Sequence, residues 1–235
     1  MEMVTIPGTD VAVSRIALGT WAIGGWMWGG TDEKASIATI HAALDKGVNL
    51  IDTAPVYGFG RSEEIVGRAL KQHGRRTPIR ISTKAGLEWQ NGSIGRNSIP
   101  SRIAGEVDDS LRRLQVDVID IYFIHWPDPK VPFEETARLL ESLKDQGKIR
   151  ACGVSNFSPE QMDAFRKAGV IQVCQPPYNM FERGIEDDIL PYCRENGIAL
   201  MTYGALCRGL LSGKMTPDRE FPGDDLRNQD PKFQA

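Results

Sequence analysis

Short apolar runs rich in β-branched residues alternate along this chain with stretches whose apolar positions recur every three to four residues, from Ile16 to Tyr203. Gly, Pro, Asn or Asp stands at most of the joints. The pattern predicts strands near Arg15 to Leu18, Asn49 to Asp52, Ile79 to Thr83, Val118 to Ile124, Ile149 to Val154, Ile171 to Gln175 and Ala199 to Tyr203. Between them, Ile37/Ile40/Leu44, Ile65/Ala69, Ile103/Val107/Leu111/Leu114, Phe133/Ala137/Leu140, Met162/Phe165 and Ile189/Cys193 each make one apolar face, as helices laid on a sheet require. Ile121 to Ile124 is apolar without alternation, which suits a parallel strand covered on both faces. Ahead of the first strand, Val4 to Ile6 and Val11 to Val13 flank the turn cluster Pro7-Gly8-Thr9-Asp10, a small hairpin able to plug one end of a barrel.

Two parallel α/β architectures remain, the doubly wound open sheet and the closed barrel. An open sheet that binds a dinucleotide carries Gly-x-Gly-x-x-Gly directly after its first strand. That motif is absent: Gly58-Phe59-Gly60-Arg61-Ser62-Glu63 breaks at its last position and follows the second strand. The expectation is a single domain, residues 1–235, folded as a (β/α)8 TIM barrel with an N-terminal β-hairpin. After Tyr203 only Gly209 to Lys214 and a polar tail remain, so the barrel is expected to stop before its eighth strand, with the closing unit missing.

Composition narrows the partners. With 28 Lys plus Arg against 31 Asp plus Glu there is a net charge of −3 and no basic block to track phosphates, so nucleic acid is not expected. Nothing approaches the roughly 18 consecutive apolar residues of a membrane span, and Met1 to Asp10 does not read as an export leader. The four cysteines, Cys152, Cys174, Cys193 and Cys207, contain no Cys-x-x-Cys and suggest neither a disulfide framework nor zinc, in keeping with the cytoplasm. No metal site is expected. His41 reads as a packing residue, His73 as surface, and Arg75 with Arg76 as solvated.

The informative polar side chains fall at the carboxyl ends of consecutive strands: Asp52, Lys84, His125, Ser155 with Asn156, Gln175 and Tyr203, spaced on average about one βα unit apart. In a barrel all of them meet at one mouth, the face where sites of this fold are built. Tyr57 lies on the loop just past Asp52. A phenol ordinarily titrates near about 10, and an ammonium such as Lys84 lowers that value. Asp52 keeps Lys84 charged. His125, between apolar neighbours, is expected neutral, with a ring N–H free to donate. A phenol acid and an imidazole donor around one oxygen suit a carbonyl becoming an alkoxide. No side chain delivers hydride, so a nicotinamide is implied.

These residues resemble the aldo-keto reductase family. The resemblance rests on Ile51-Asp52-Thr53-Ala54-Pro55-Val56-Tyr57-Gly58 with Ser62-Glu63-Glu64-Ile65-Val66-Gly67. Thr83-Lys84, Ile124-His125-Trp126-Pro127-Asp128, Gly153-Val154-Ser155-Asn156-Phe157-Ser158 and Gly209-Leu210-Leu211-Ser212-Gly213-Lys214 follow in the family's order. The bacterial general-stress or aldose-reducing branch is the most similar. The resemblance implies a catalytic tetrad of Asp52, Tyr57, Lys84 and His125 and NADP(H) as cofactor. It further implies that Ser155, Asn156 and Gln175 hold the nicotinamide carboxamide, that Tyr203 stacks on the ring, and that Thr20 and Trp21 line the ribose and substrate space. The family's aromatic-Ser-Pro-Leu segment is here Tyr203-Gly204-Ala205-Leu206, where backbone amides with Arg208 and Lys214 meet the phosphates. The basic residues that grip the adenosine 2′-phosphate in that family are absent. Trp21, Tyr57, Trp89, His125 and Trp126 are expected to shape the pocket for a small-molecule carbonyl, and the glycine-rich loop Gly24 to Gly30 is either an aromatic lid or a packed loop. The expected activity is reversible reduction of aldehydes or ketones by NADPH. The alternative is a cofactor-binding regulatory subunit with slow or no turnover.

Overall fold

The computed structural model describes residues 1–74 and 78–233, so Arg75 and Arg76 lie outside the described residues. Strands β1 (Met3–Thr5) and β2 (Ala12–Ser14) pair antiparallel as the expected hairpin. There follow β3 (Ala17–Gly19), α1 (Glu33–Asp45), β4 (Leu50–Asp52), α2 (Arg61–His73) and β5 (Arg80–Ala85). A second hairpin, β6 (Leu87–Gln90) and β7 (Ser93–Arg96), is inserted before α3 (Pro100–Leu114). The chain continues through β8 (Ile119–Ile124), α4 (Phe133–Asp145), β9 (Ile149–Ser155), α5 (Pro159–Arg166), β10 (Val173–Gln175), α6 (Ile189–Glu195) and β11 (Ala199–Leu200), then through 3-10 turns as far as Phe233.

Seven strands form one parallel sheet in the order β11-β10-β9-β8-β5-β4-β3. Sequential order with helical crossovers is the arrangement of a (β/α)8 barrel, with seven of its strands present among the described residues and β3 and β11 as the two edges. The core has two layers because strand side chains alternate. Tyr122 and Ile124 of β8 face the helices, beside Ile103, Val107, Ala137 and Leu140. Ile121 and Phe123 face inward with Leu50, Ala151 and Val173, and there they meet Ile6, Val11 and Val13 of the hairpin. The hairpin is thus a plug in the barrel interior, which leaves the carboxyl ends of the strands for polar groups.

Three local readings change. The last strand stops at Leu200 rather than Tyr203. Its neighbour past β10 is Pro176-Pro177, which has no N–H to offer, and only a single bridge, Pro177 to Tyr203, survives. The β6–β7 hairpin was not anticipated, although Asn91-Gly92 marks its turn, with both residues at positive φ (51° and 80°). His73 is not on the surface: its side chain is 11% exposed, with its ring 5.4 Å from that of His41.

Candidate active site

Asp52 ends β4, and its carboxylate is fully engaged. Oδ2 accepts from Lys84 Nζ at 2.8 Å, while Oδ1 accepts from Ser82 Oγ at 2.7 Å and Gln175 Nε2 at 3.2 Å. Lys84, on β5, is 1% exposed and also donates to the Thr53 carbonyl at 2.8 Å. Taking the ammonium out of water lowers its pKa, but Asp52 and Tyr57 outweigh that and raise it above the ordinary 10.5, so Lys84 is charged.

The loop from Thr53 to Gly60 carries Tyr57 over this ion pair. Tyr57 N donates to the Ala54 carbonyl at 3.1 Å, and Ser62 N donates to the Tyr57 carbonyl at 3.1 Å. Buried polar residues hold the start of α2 beneath it: Ser62 Oγ sits against Thr53 and Thr20, and Glu63, fully buried, accepts from Thr83 Oγ1 at 2.7 Å and Arg113 Nε at 2.6 Å. Lys84 Nζ lies 5.0 Å from the centre of the Tyr57 ring, and the ring of His125 stands nearly perpendicular to it at 5.8 Å. Burial pushes the Tyr57 phenol above 10.0, against the lowering influence of Lys84. The expected net lowering is therefore reversed: desolvation of the would-be phenolate exceeds the attraction of one ammonium that Asp52 already occupies. Burial, and then the Lys84 charge, hold His125 well below 6.5, so its imidazole is neutral.

Ser155 and Asn156 close β9. Ser155 Oγ donates to the Gln175 carbonyl at 2.8 Å, and Asn156 Nδ2 donates to the His125 carbonyl at 2.9 Å. Asn156 has φ +62°, a left-handed conformation that Asn tolerates better than most residues, and its Oδ1 accepts from the Tyr203 hydroxyl at 2.8 Å. These side chains line a cavity of about 280 Å³ together with Trp21, Tyr57, His125, Trp126 and Arg208. Amide side chains offering donors and acceptors beside a phenol ring suit a nicotinamide carboxamide, so the residues present fit that end of the cofactor. Arg208 is the cation in the wall; its guanidinium pairs with Asp230 and lies over Trp21 at 6.0 Å.

Other expected residues are placed elsewhere. Thr20 is fully buried with its hydroxyl given to the Asp52 carbonyl at 2.9 Å, so it braces the floor and does not line the cavity. Trp89 is also outside the lining. It lies two residues, about 7 Å, along β6 from Leu87, where the ring of Phe59 covers it at 5.6 Å. Gly204, Ala205, Leu206 and Lys214 follow the last strand on exposed turns outside the cavity wall. Conversely, Trp26, Met27, Val56, Leu87 and Ile94 line the cavity without having been singled out as site residues. Two of these come from the glycine-rich loop and two from the β6–β7 hairpin, whose Asn-Gly turn was the available signal.

A model described as Aldo/keto reductase family matches residues 15–234. The chain belongs to the aldo/keto reductase family. It is 59% identical over 234 residues to aldo-keto reductase YhdN of Bacillus subtilis, covering 100% of this chain and 71% of that protein. It is 41% identical to the NADH-specific methylglyoxal reductase of Escherichia coli, covering 97% of this chain and 74% of that one. Among solved structures, glycerol dehydrogenase AKR11B4 from Gluconobacter oxydans superposes with a TM-score of 0.90 at 59% identity, covering 99% of this chain and 72% of the other. An aldo/keto reductase from Klebsiella pneumoniae in complex with NADP and acetate does so with 0.71 at 32%, covering 85% and 67%. As an aldo/keto reductase the chain is an oxidoreductase of carbonyl compounds with NADP(H) as cofactor, and the regulatory reading is not favoured.

Proposed function

We propose that Asp52, Tyr57, Lys84 and His125 form the catalytic set and that the substrate is an apolar or aromatic aldehyde or ketone. The single observation that carries this reading is the charged, 1% exposed Lys84, held by Asp52 at 2.8 Å beneath the phenol ring of Tyr57. Trp21, Trp26, Met27, Val56, Ile94 and Trp126 supply an apolar wall for the carbonyl's substituent.

When bound, the nicotinamide supplies hydride to the carbonyl carbon. The chain's own residues act on the oxygen. Neutral His125 donates a hydrogen bond to it, and Tyr57 transfers its proton as negative charge develops there. Lys84 stabilises the phenolate left behind, and Asp52 holds Lys84 in place. Ser155, Asn156 and Gln175 would hold the carboxamide, and Tyr203 would lie against the ring. Gln175 also donates to Asp52, so the grip on the cofactor and the catalytic set share one carboxylate. We further read residues 1–235 as one domain, supported by the unbroken ladder from β3 to β11. A cytoplasmic location is supported by the free, buried Cys152, Cys174, Cys193 and Cys207.

The test is multiple turnover of NADPH with an aromatic aldehyde by the purified chain. Saturable nicotinamide binding without any turnover would defeat the proposal. The pH profile adds a second expectation. Reduction uses the protonated phenol, whose pKa burial raises above the ordinary 10.0, so the rate constant stays level through neutral pH and is lost only on the alkaline side of that ordinary value, and neutral His125 contributes no acid limb near 6.5. Between pH 6 and 8, a fall with rising pH would contradict the raised Tyr57 pKa and a fall with decreasing pH the neutral His125.

A further inference from the structure

The glycine-rich loop after β3 is held from outside by the segment that follows the last strand. Asp224 accepts two backbone hydrogen bonds from that loop, from Met27 N at 2.8 Å and Gly29 N at 3.0 Å, and Leu226 N donates to the Met27 carbonyl at 3.0 Å. Two amides converging on one carboxylate are charge-assisted and directional. The approach depends on Gly29: a Cβ there would stand 2.6 Å from the Pro222 carbonyl oxygen. Arg227, fixed by the buried Asp225 carboxylate at 2.6 Å, covers the ring of Trp28 at 5.1 Å. Trp28 in turn meets Trp21 edge to face at 5.2 Å, and Trp21 stacks on Tyr57 at 6.2 Å. The held loop places Trp26 and Met27 in the cavity wall, with Trp26 packed on Phe59 at 4.9 Å.

We infer that Asp224 is a positioning residue that sets how large a carbonyl substrate the site accepts, by fixing the loop that carries Trp26 and Met27. This rests on the carbonyl-reductase reading. Asp224 itself is exposed and outside the cavity lining, so it acts only through the loop. A wall of this kind discriminates by shape, and a loosened wall admits a larger ring system.

The test compares the parent with Asp224→Ala and Asp224→Asn in two readouts: amide hydrogen exchange at Met27 and Gly29, and kcat/KM for benzaldehyde against naphthaldehyde. In Asp224→Ala both amides should exchange faster, kcat for benzaldehyde should stay within about twofold, and preference should shift toward naphthaldehyde by about tenfold. Asp224→Asn keeps one acceptor oxygen and should fall between. Unchanged exchange in Asp224→Ala, or faster exchange with an unchanged substrate ratio, overturns the inference. A parent chain that turns over neither aldehyde defeats the reductase reading instead. Discrimination is then read from quenching of tryptophan fluorescence by the same two aldehydes, and an unchanged ratio there again overturns the role of Asp224.

Discussion

Tyr57→Phe should lower kcat for aldehyde reduction by about 10²- to 10⁴-fold while leaving nicotinamide binding and stability close to those of the parent. Only one oxygen is removed. The ring keeps its contacts with Trp21 and His125, and Lys84 keeps Asp52 and the Thr53 carbonyl as partners. What disappears is the proton donor, an interaction made only as charge reaches the carbonyl oxygen, so kcat and kcat/KM should fall together. Stopped-flow single turnovers with a fluorescence titration of the reduced cofactor make the measurement. A variant that reduces aldehydes at the parent's rate removes Tyr57 from the role of acid.

Lys84→Met should damage both activity and stability. The ammonium is 1% exposed, and its loss leaves the 8% exposed Asp52 carboxylate with the Ser82 hydroxyl and the Gln175 amide but no countercharge. Breaking a buried pair from one side costs about 3–5 kcal/mol, whereas removing both charges is close to neutral. Urea denaturation should therefore show a large loss in Lys84→Met and recovery of most of it in the Asp52→Asn/Lys84→Met double variant, with activity restored in neither. Turnover should fall about 10²- to 10⁴-fold, and because Tyr57 and Lys84 act as one unit, adding Tyr57→Phe should cost little more. Equal stability of Lys84→Met and the double variant would show that the pair carries no such strain. Additive losses in turnover would separate the two residues.

The parallel sheet and its helices were legible because the two periodicities differ so plainly. β8 is buried at all six positions, as the apolar run Ile121 to Ile124 required for four of them, with Asp120 buried against Arg80 and the Ile81 amide. Asp52, Lys84 and His125 stand at or next to consecutive strand ends because about one βα unit separates each from the next, with Tyr57 on the loop past Asp52. Thr20 was less legible. A hydroxyl one residue past a strand can face the mouth or the floor, and sequence position carries no direction; here the Asp52 carbonyl, which also accepts from Thr20 N at 2.9 Å, takes it. The β6–β7 hairpin was hidden by its polar, short strands, and it moved Trp89 behind Phe59 while bringing Leu87 and Ile94 to the cavity.

By itself, the order of residues determined the alternation of strands and helices, the plugging hairpin, and which side chains reach the carboxyl end of the barrel, since those follow from local periodicity and chain reach. Only the tertiary structure decided the sign of the shift at Tyr57, the clamp of Asp224 on the glycine-rich loop, and that Trp26, Met27, Leu87 and Ile94 line the cavity. Each of these balances burial or contact between segments far apart in the chain, a quantity that distance in space sets and spacing along the chain does not.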